Sequence, residues 1–269
     1  MIELFEQDEK MQSRQSSKGN QLKWENAGYW YKADYTGYEG LSEYMVSNLL
    51  SKSTLLEGEY VTYDLEQIKY KTQIFNGVKS KDFVDKGWQI ITLERLFKNY
   101  YGESLSKAIS NIYDYKERLV FLVDKVEQIT GINNFGEYMC KLLTIDAIFL
   151  NEDRHTHNVA VLMSEDGKYK LCPIFDNGAA LLSDTTLDYP LGIDIEEMIK
   201  GVRSKTICDN LDEQLDIAEC LYGTQLKFNF AEKDIYGLIE KAGIYSEDLR
   251  KRVAEILCFQ RRKYAYLFK

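Results

Sequence analysis

The sequence predicts an α+β protein of two lobes, a small β-rich lobe with one helix over residues 1–90 and a larger, mostly helical lobe over 91–269. Three features predict this. Alternation of aromatic and polar residues is concentrated ahead of Thr92, and period two is the mark of a half-buried strand. From Thr92 onward apolar residues recur at helical spacing, with start and stop residues around them. Inside that helical text one alternating pair interrupts, "NVAVLM" and "YKLCPIF" about the turn "SEDGK", which has the form of a hairpin.

Taken in order, "GYWYKADY" (28–35) is a strand with Trp30 and Lys32 on one face and Tyr29 and Tyr31 on the other. "LSEYMVSNLLSK" (41–52) follows as a helix, with Leu41, Tyr44, Met45 and Leu49 on one stripe. "EYVTYDLEQIKYKTQIFNGV" (59–78) predicts two strands meeting near Glu66–Lys69. "TLERLFKNYYG" is a helix that stops on Gly102, and "DYKERLVFLVDKVEQITG" one capped by Asp114 and stopped by Gly131. "NFGEYMCKLLTIDAIFLN" (134–151) carries Tyr138, Leu142, Ile145 and Phe149 on a further helical stripe. After the hairpin come "DIEEMIKGV", "LDEQLDIAECLYG", "EKDIYGLIEKAG" and "SEDLRKRVAEILCFQRRKYAYLF", all helical. No Gly/Pro-rich linker separates the lobes, and the boundary is placed at residues 88–91.

Composition excludes several classes. The net charge is −9 and no Lys/Arg run is long, so a non-specific nucleic-acid face is not expected and no direct nucleic-acid binding is assigned. The longest apolar runs, "RLVFLV" and "DAIFLN", are far shorter than a bilayer span, and no membrane association is expected. The acidic start "MIELFEQDEKMQ" lacks a secretion pattern. Five cysteines without CxxC pairing fit reduced thiols, and the expected location is the cytoplasm.

Chemistry concentrates in "NEDRHTHNVAVL" (151–162), which holds both histidines of the chain. Asp153 and Asn158 stand five positions apart, and Asp176 follows Asn158 by eighteen, in "FDNG" (175–178). Phosphoryl transfer from ATP needs a carboxylate for the attacking hydroxyl, an Asn and a second carboxylate for Mg²⁺, and a Lys for the phosphates. The D-x-x-x-x-N spacing followed by a metal-binding Asp matches that parts list. Asp153 is then the catalytic base, while Asn158 and Asp176 offer the hard oxygens that Mg²⁺ prefers. Singly, each piece is also ordinary turn chemistry; order, spacing and hairpin together point to catalysis. Another class competes: Asp153, His155 and His157 alternate, and two His with a carboxylate can hold Zn²⁺ or iron. His155 is assigned beside the transferred phosphoryl group, against a hydrogen-bonded structural imidazole. Arg154 neutralises either a carboxylate or a phosphate.

The small lobe has to supply the lysine. Lys32 at the end of "GYWYK" is that candidate, with Glu43 in the first turn of the next helix as its partner and Glu39 in reserve. Lys23 in "QLKWEN" competes with it, and a solvated strand residue is the usual fate of lysine. Upstream, "SRQSSKGNQLKW" has a Gly among small polar residues, able to turn backbone N–H groups toward phosphate oxygens, although it is not a Walker A loop. The adenine site is expected within residues 80–96.

"LLTIDAIFLNEDRHTHNVAVL" followed by "YKLCPIFDNGAAL" resembles the C-terminal core of the HipA-like serine/threonine kinases, over about residues 134–182. The "DRHxxN" string is also similar to the catalytic loop of phosphatidylinositol kinases, whose fold is related. The resemblance implies a protein-kinase-like fold using ATP and Mg²⁺, with a protein Ser/Thr as acceptor. It makes Ser16, Ser17 and Asn20 phosphate-loop residues, with self-phosphorylation of a serine there. It further implies an antitoxin-type partner that supplies the DNA-binding element this chain lacks. From its length this chain is expected to lack the separate N-terminal subdomain of longer members, and their partner contacts are not carried over. A small-molecule or lipid acceptor on the same fold, or a nucleotide-binding module without turnover, are the alternative functions; the lack of a basic membrane-facing patch lowers the lipid case.

Overall fold

The computed structural model describes residues 1–10 and 21–269. In chain order its first elements are β1 (Ile2–Leu4), β2 (Lys23–Asn26), β3 (Tyr29–Ala33), α1 (Glu39–Leu50), β4 (Asp64–Tyr70), β5 (Gln73–Lys81) and β6 (Trp88–Thr92). There follow α2 (Leu93–Tyr101), α3 (Leu105–Ser110), α4 (Tyr115–Thr130) and α5 (Phe135–Phe149), then β7 (Ala160–Ser164) and β8 (Tyr169–Leu171). Four helices complete the order: α6 (Ile195–Gly201), α7 (Leu211–Tyr222), α8 (Glu232–Lys241) and α9 (Glu247–Lys263). Two compact units divide these residues, and neither is one stretch of chain. The first comprises Met1–Asp82, Phe175–Gly201 and Lys227–Lys269; the second comprises Phe83–Ile174 and Val202–Leu226. A single cut at 88–91 assigns the last two helices to the helical half, whereas α8 packs on α1 in the first unit.

The first unit is built on a five-stranded sheet of order β1-β4-β5-β3-β2, antiparallel except for β1 beside β4. The β2–β3 hairpin turns on Ala27 and Gly28, both at positive φ (51° and 79°), which is the geometry that matches strand twist. β4 and β5 run on past the expected Glu66–Lys69 meeting point and turn at Lys71–Thr72, with Lys71 at φ 55°. Lysine carries no turn signal, so the pattern alone placed that turn too early. Alternation along β3 sends Tyr31 and Ala33 into a cluster with Leu4, Trp24, Ile68 and Tyr70. Trp24 lies edge-on to Tyr70 at 5.2 Å; burying side chains of this size contributes about 1.5–3 kcal/mol each.

Lys32 faces the other side of the sheet, the side that α1 covers. Two glycines allow that helix to sit close. A Cβ on Gly40 would lie 2.8 Å from Gly77 Cα, and a Cβ on Gly77 would overlap the Lys32 carbonyl oxygen at 2.1 Å. Only glycine fits both positions without moving backbone. Asp34 anchors the same corner, its Oδ1 accepting the Gly40 N–H at 2.6 Å. Burial pushes this carboxyl up to about 8. Between the unfolded value of about 3.9 and that point, the folded protein keeps a proton that the unfolded chain has lost. The resulting stabilisation is full below the lower value and disappears as pH rises through the upper one. Asp34→Asn is therefore expected to gain thermal stability relative to wild type as pH is raised from about 4 to about 9; an offset constant with pH rejects the assignment.

The first unit closes on its C-terminal helices. Arg252 of α9 donates from Nε to the Tyr38 hydroxyl at 3.2 Å and from Nη2 to the Tyr189 carbonyl at 2.9 Å. The basic, aromatic end of the chain is packed: Tyr264 and Leu267 are buried, and Phe268 stacks on Phe228.

The second unit surrounds α5, buried along nearly its whole length. Its helices begin and end where their caps stand. Thr92 accepts the Arg95 N–H and Gly102 sits at φ 76°, while Asp114 accepts the Glu117 N–H and Gly131 sits at φ 72°. The expected hairpin forms as β7–β8, with Gly167 at φ 79° in its turn. It gains a third strand, since β6 pairs antiparallel with β7 from Trp88↔Ser164 to Thr92↔Ala160. No described helix is long and apolar enough to cross a membrane.

Candidate active site

Lys32 lies where the first unit collects its charges. Its Nζ donates to Glu43 Oε1 at 2.6 Å and to Asp176 Oδ1 at 2.8 Å, and it stands 5.1 Å from the centre of the Tyr63 ring. The Lys32 and Glu43 side chains are 12% and 1% exposed, Asp176 28%, so this is a partly desolvated network with one open edge. Burial by itself lowers the lysine pKa, but Asp176 and then Glu43 outweigh it and hold the ammonium well above its usual range. Glu43 spends its other oxygen on the Asn177 N–H at 2.9 Å. The second turn of α1, where Glu43 lies rather than in the first, thus holds the lysine and the "FDNG" backbone together. Further contacts fasten that loop to α1: Tyr38 Oη donates to the Leu181 carbonyl and Ser42 Oγ to the Ala180 carbonyl, each at 2.7 Å. Asp176 itself adopts φ 63°, a left-handed conformation that Asp tolerates better than most residues.

The competing residues are placed elsewhere. Glu39 is the first residue of α1, and its carboxylate accepts from the backbone of Tyr35, Thr36 and Gly37. Lys23 is the direct cross-strand partner of Lys32 and so shares its face of the sheet. Burial pulls the Lys23 pKa down, with Asp176 opposing and Lys32 reinforcing the fall. Ser16, Ser17 and Asn20 lie outside the described residues.

In the second unit the loop after α5 folds around Asp153. Asn158 Nδ2 donates to the Asp153 carbonyl at 2.8 Å and to its Oδ2 at 3.1 Å, while Lys205 Nζ donates to Oδ1 at 3.1 Å. Because the Asn158 nitrogen is spent on Asp153, its carbonyl Oδ1 is left as a hard oxygen suited to a cation such as Mg²⁺. Arg154 binds a carboxylate, not a phosphate: it forks onto buried Asp146 with contacts of 3.1 and 3.2 Å, and its Nη1 reaches the Asn158 carbonyl at 3.3 Å. Thr156 Oγ1 donates to Glu94 Oε2 at 2.9 Å, which ties the loop to α2. Burial opposes the charge on Glu94, but hydrogen bonds from Ser104, Ser106 and Thr156 hold its pKa below the usual range.

Burial lowers the His155 pKa below the usual imidazole range, more than Asp153 raises it. Its Nδ1 accepts the His157 N–H at 3.2 Å, and Nε2 stands 3.9 Å from Asp153 Oδ1. The two imidazoles meet edge to face at 5.5 Å. Among the described residues no group of three His, Cys, Asp or Glu is placed to hold a metal, so the Asp153–His155–His157 zinc or iron arrangement does not form.

Two solved structures share this fold. CtkA, a proinflammatory kinase of Helicobacter pylori, matches with a TM-score of 0.64 at 16% identity, over 97% of this chain and 95% of its own. HipA of Shewanella oneidensis MR-1, solved as part of a toxin–antitoxin system with HipB and operator DNA, matches with a TM-score of 0.53 at 11% identity, over 94% of this chain and 66% of its own. The chain has the HipA-like kinase fold. No family model matches the sequence, and no curated protein matches it.

Within this HipA-like fold, four participants escape the sequence pattern. Asp146 sits on the apolar face of "LLTIDAIFLN", where a lone charge in a buried stripe is the available signal. Tyr63, the Asn177 backbone and Lys205 come from segments with no local mark, and only folding brings them in.

Proposed function

We propose that the protein is an ATP- and Mg²⁺-dependent kinase that passes the γ-phosphoryl group to a Ser or Thr hydroxyl of a protein. One observation carries this: a lysine on a sheet strand, paired with a helix glutamate, and bound in the same network to the Asp of "FDNG". A purely structural lysine needs one carboxylate; this one is held by two, with the second at an open edge where an incoming phosphate replaces it.

In this reading Lys32 neutralises the phosphates and Glu43 keeps it extended toward them. Asn158 Oδ1 and the Asp176 carboxylate are each assigned as oxygens that would take Mg²⁺, and that ion would screen charge on the phosphates. Asp153 orients the acceptor hydroxyl and takes its proton. His155, uncharged and beside Asp153, donates no competing positive charge and stays as a hydrogen-bonding neighbour of the transferred group. Ser16, Ser17 and Asn20 belong to the phosphate loop, and a serine there is self-phosphorylated. An antitoxin-type partner completes the assignment, supported by the HipA neighbour's complex.

Calorimetric titration with a nonhydrolysable ATP analogue and Mg²⁺ tests the nucleotide half. Lys32→Met is expected to weaken binding by about ten-fold or more, since a charge-assisted phosphate contact is lost. Equal affinity in the folded variant removes Lys32 from the site. Phosphopeptide mapping after incubation with ATP checks the loop: phosphate on Ser16 or Ser17 is expected, and neither serine modified discards that step.

A further inference from the structure

We propose that the cavity beside Asp153 seats an acidic side chain of the acceptor polypeptide, an inference that rests on the phosphotransfer reading above. The cavity, of about 320 Å³, lies within the second unit and is lined by Arg118, Lys205, Asp209, Tyr115, Ser110 and Thr156 among others. That volume falls at the lower end of small-ligand pockets, about 300–1,000 Å³. Two of its walls belong to the catalytic loop: Thr156 directly, and Lys205 through its bond to Asp153.

The Lys205 side chain is 44% exposed, and its ammonium is bonded to Asp153. The turn that bears Lys205 is tied down on both sides. Ser204 Oγ donates to the Cys208 carbonyl at 2.7 Å, Thr206 Oγ1 to the Arg154 carbonyl at 2.5 Å, and Arg118 Nη1 to the Ile207 carbonyl at 2.8 Å. An ammonium has three donors, and Asp153 uses one, so two remain to face the cavity. Arg118 is the more firmly held of the two cations. Its Nε donates to the Ile112 carbonyl at 2.7 Å, and its guanidinium lies 4.8 Å over the Tyr115 ring. The Nη2 edge is thereby held in place with its protons unspent among the described residues.

The lining therefore presents two cations and several hydroxyls against one carboxylate, Asp209. An apolar occupant would strip water from those cations without replacing it, and a basic one would meet like charge. A Glu or Asp side chain satisfies both, and places its own backbone beside the carboxylate that receives the hydroxyl proton.

Peptide arrays with one Ser or Thr and a single varied flanking residue, incubated with γ-labelled ATP and Mg²⁺, test this. Wild-type protein is expected to label peptides with a flanking Glu or Asp about ten-fold faster, as kcat/KM, than those with Ala, and faster still than those with Lys. Arg118→Glu is expected to erase or invert that ratio, mainly through KM. Ser110→Glu, on the exposed end of α3, is expected to lower it too, and covers the case in which Arg118→Glu fails to fold. Label incorporation that depends on Asp153 but ignores the flanking charge overturns the subsite and leaves phosphotransfer standing. The same holds if folded Arg118→Glu keeps the wild-type ratio. No incorporation into any peptide overturns both.

Discussion

Asp176→Asn and Asp153→Ala are each expected to lower phosphoryl transfer by about a thousand-fold or more, because positioning and metal electrostatics supply most of the rate in such reactions. The two losses differ in kind. Asp176 bonds Lys32 and is assigned to Mg²⁺, so its neutralisation weakens nucleotide binding along with turnover. Asparagine is the informative replacement there. Asn accepts the left-handed backbone at φ 63° almost as readily as Asp, whereas Ala adds a conformational cost of about 1–2 kcal/mol that would confuse charge with strain. Asp153 contacts Asn158 and Lys205, and its removal is expected to leave nucleotide affinity within a few-fold while abolishing transfer. Titration and label transfer on the same samples separate the two. Near-normal turnover in either variant ends the assignment.

Local chemistry was legible in this sequence and distant chemistry was not. Thr92, Gly102, Asp114 and Gly131 mark helix ends because a cap acts within one turn of itself. The faces of β3 followed from strict alternation, which put Lys32 opposite the Tyr31 face before any partner was known. The pairing of Lys32 with Glu43 was accessible because both lie near one strand–helix junction. By contrast, nothing local pairs β6 with β7, which lies far along the chain. Nothing in "VRSKTIC" reveals that Lys205 reaches Asp153, since the anchors are backbone carbonyls that any sequence possesses. The role of Arg154 was open for a similar reason: a guanidinium fits carboxylate and phosphate equally, and only the fold supplies Asp146.

That last pair carries the second large effect. Asp146 is fully buried and Arg154 is 2% exposed, so each is the principal charge compensation of the other. Burial pushes the Asp146 carboxyl pKa up, and Arg154 beside it pulls the other way. Arg154→Met leaves a carboxylate in an apolar helix–loop interface and is expected to destabilise the protein by about 3–5 kcal/mol in urea unfolding. Joining it with Asp146→Leu removes the orphaned charge, and most of that stability is expected to return, because apolar replacements of buried ion pairs are often neutral. Activity is expected not to return. Arg154 also donates from its side chain to the Asn158 carbonyl, so it sets the position of the residue assigned to the metal. A double variant that is stable and inactive separates what the ion pair does for folding from what it does for the loop; one that is stable and fully active shows that the loop holds its shape without it.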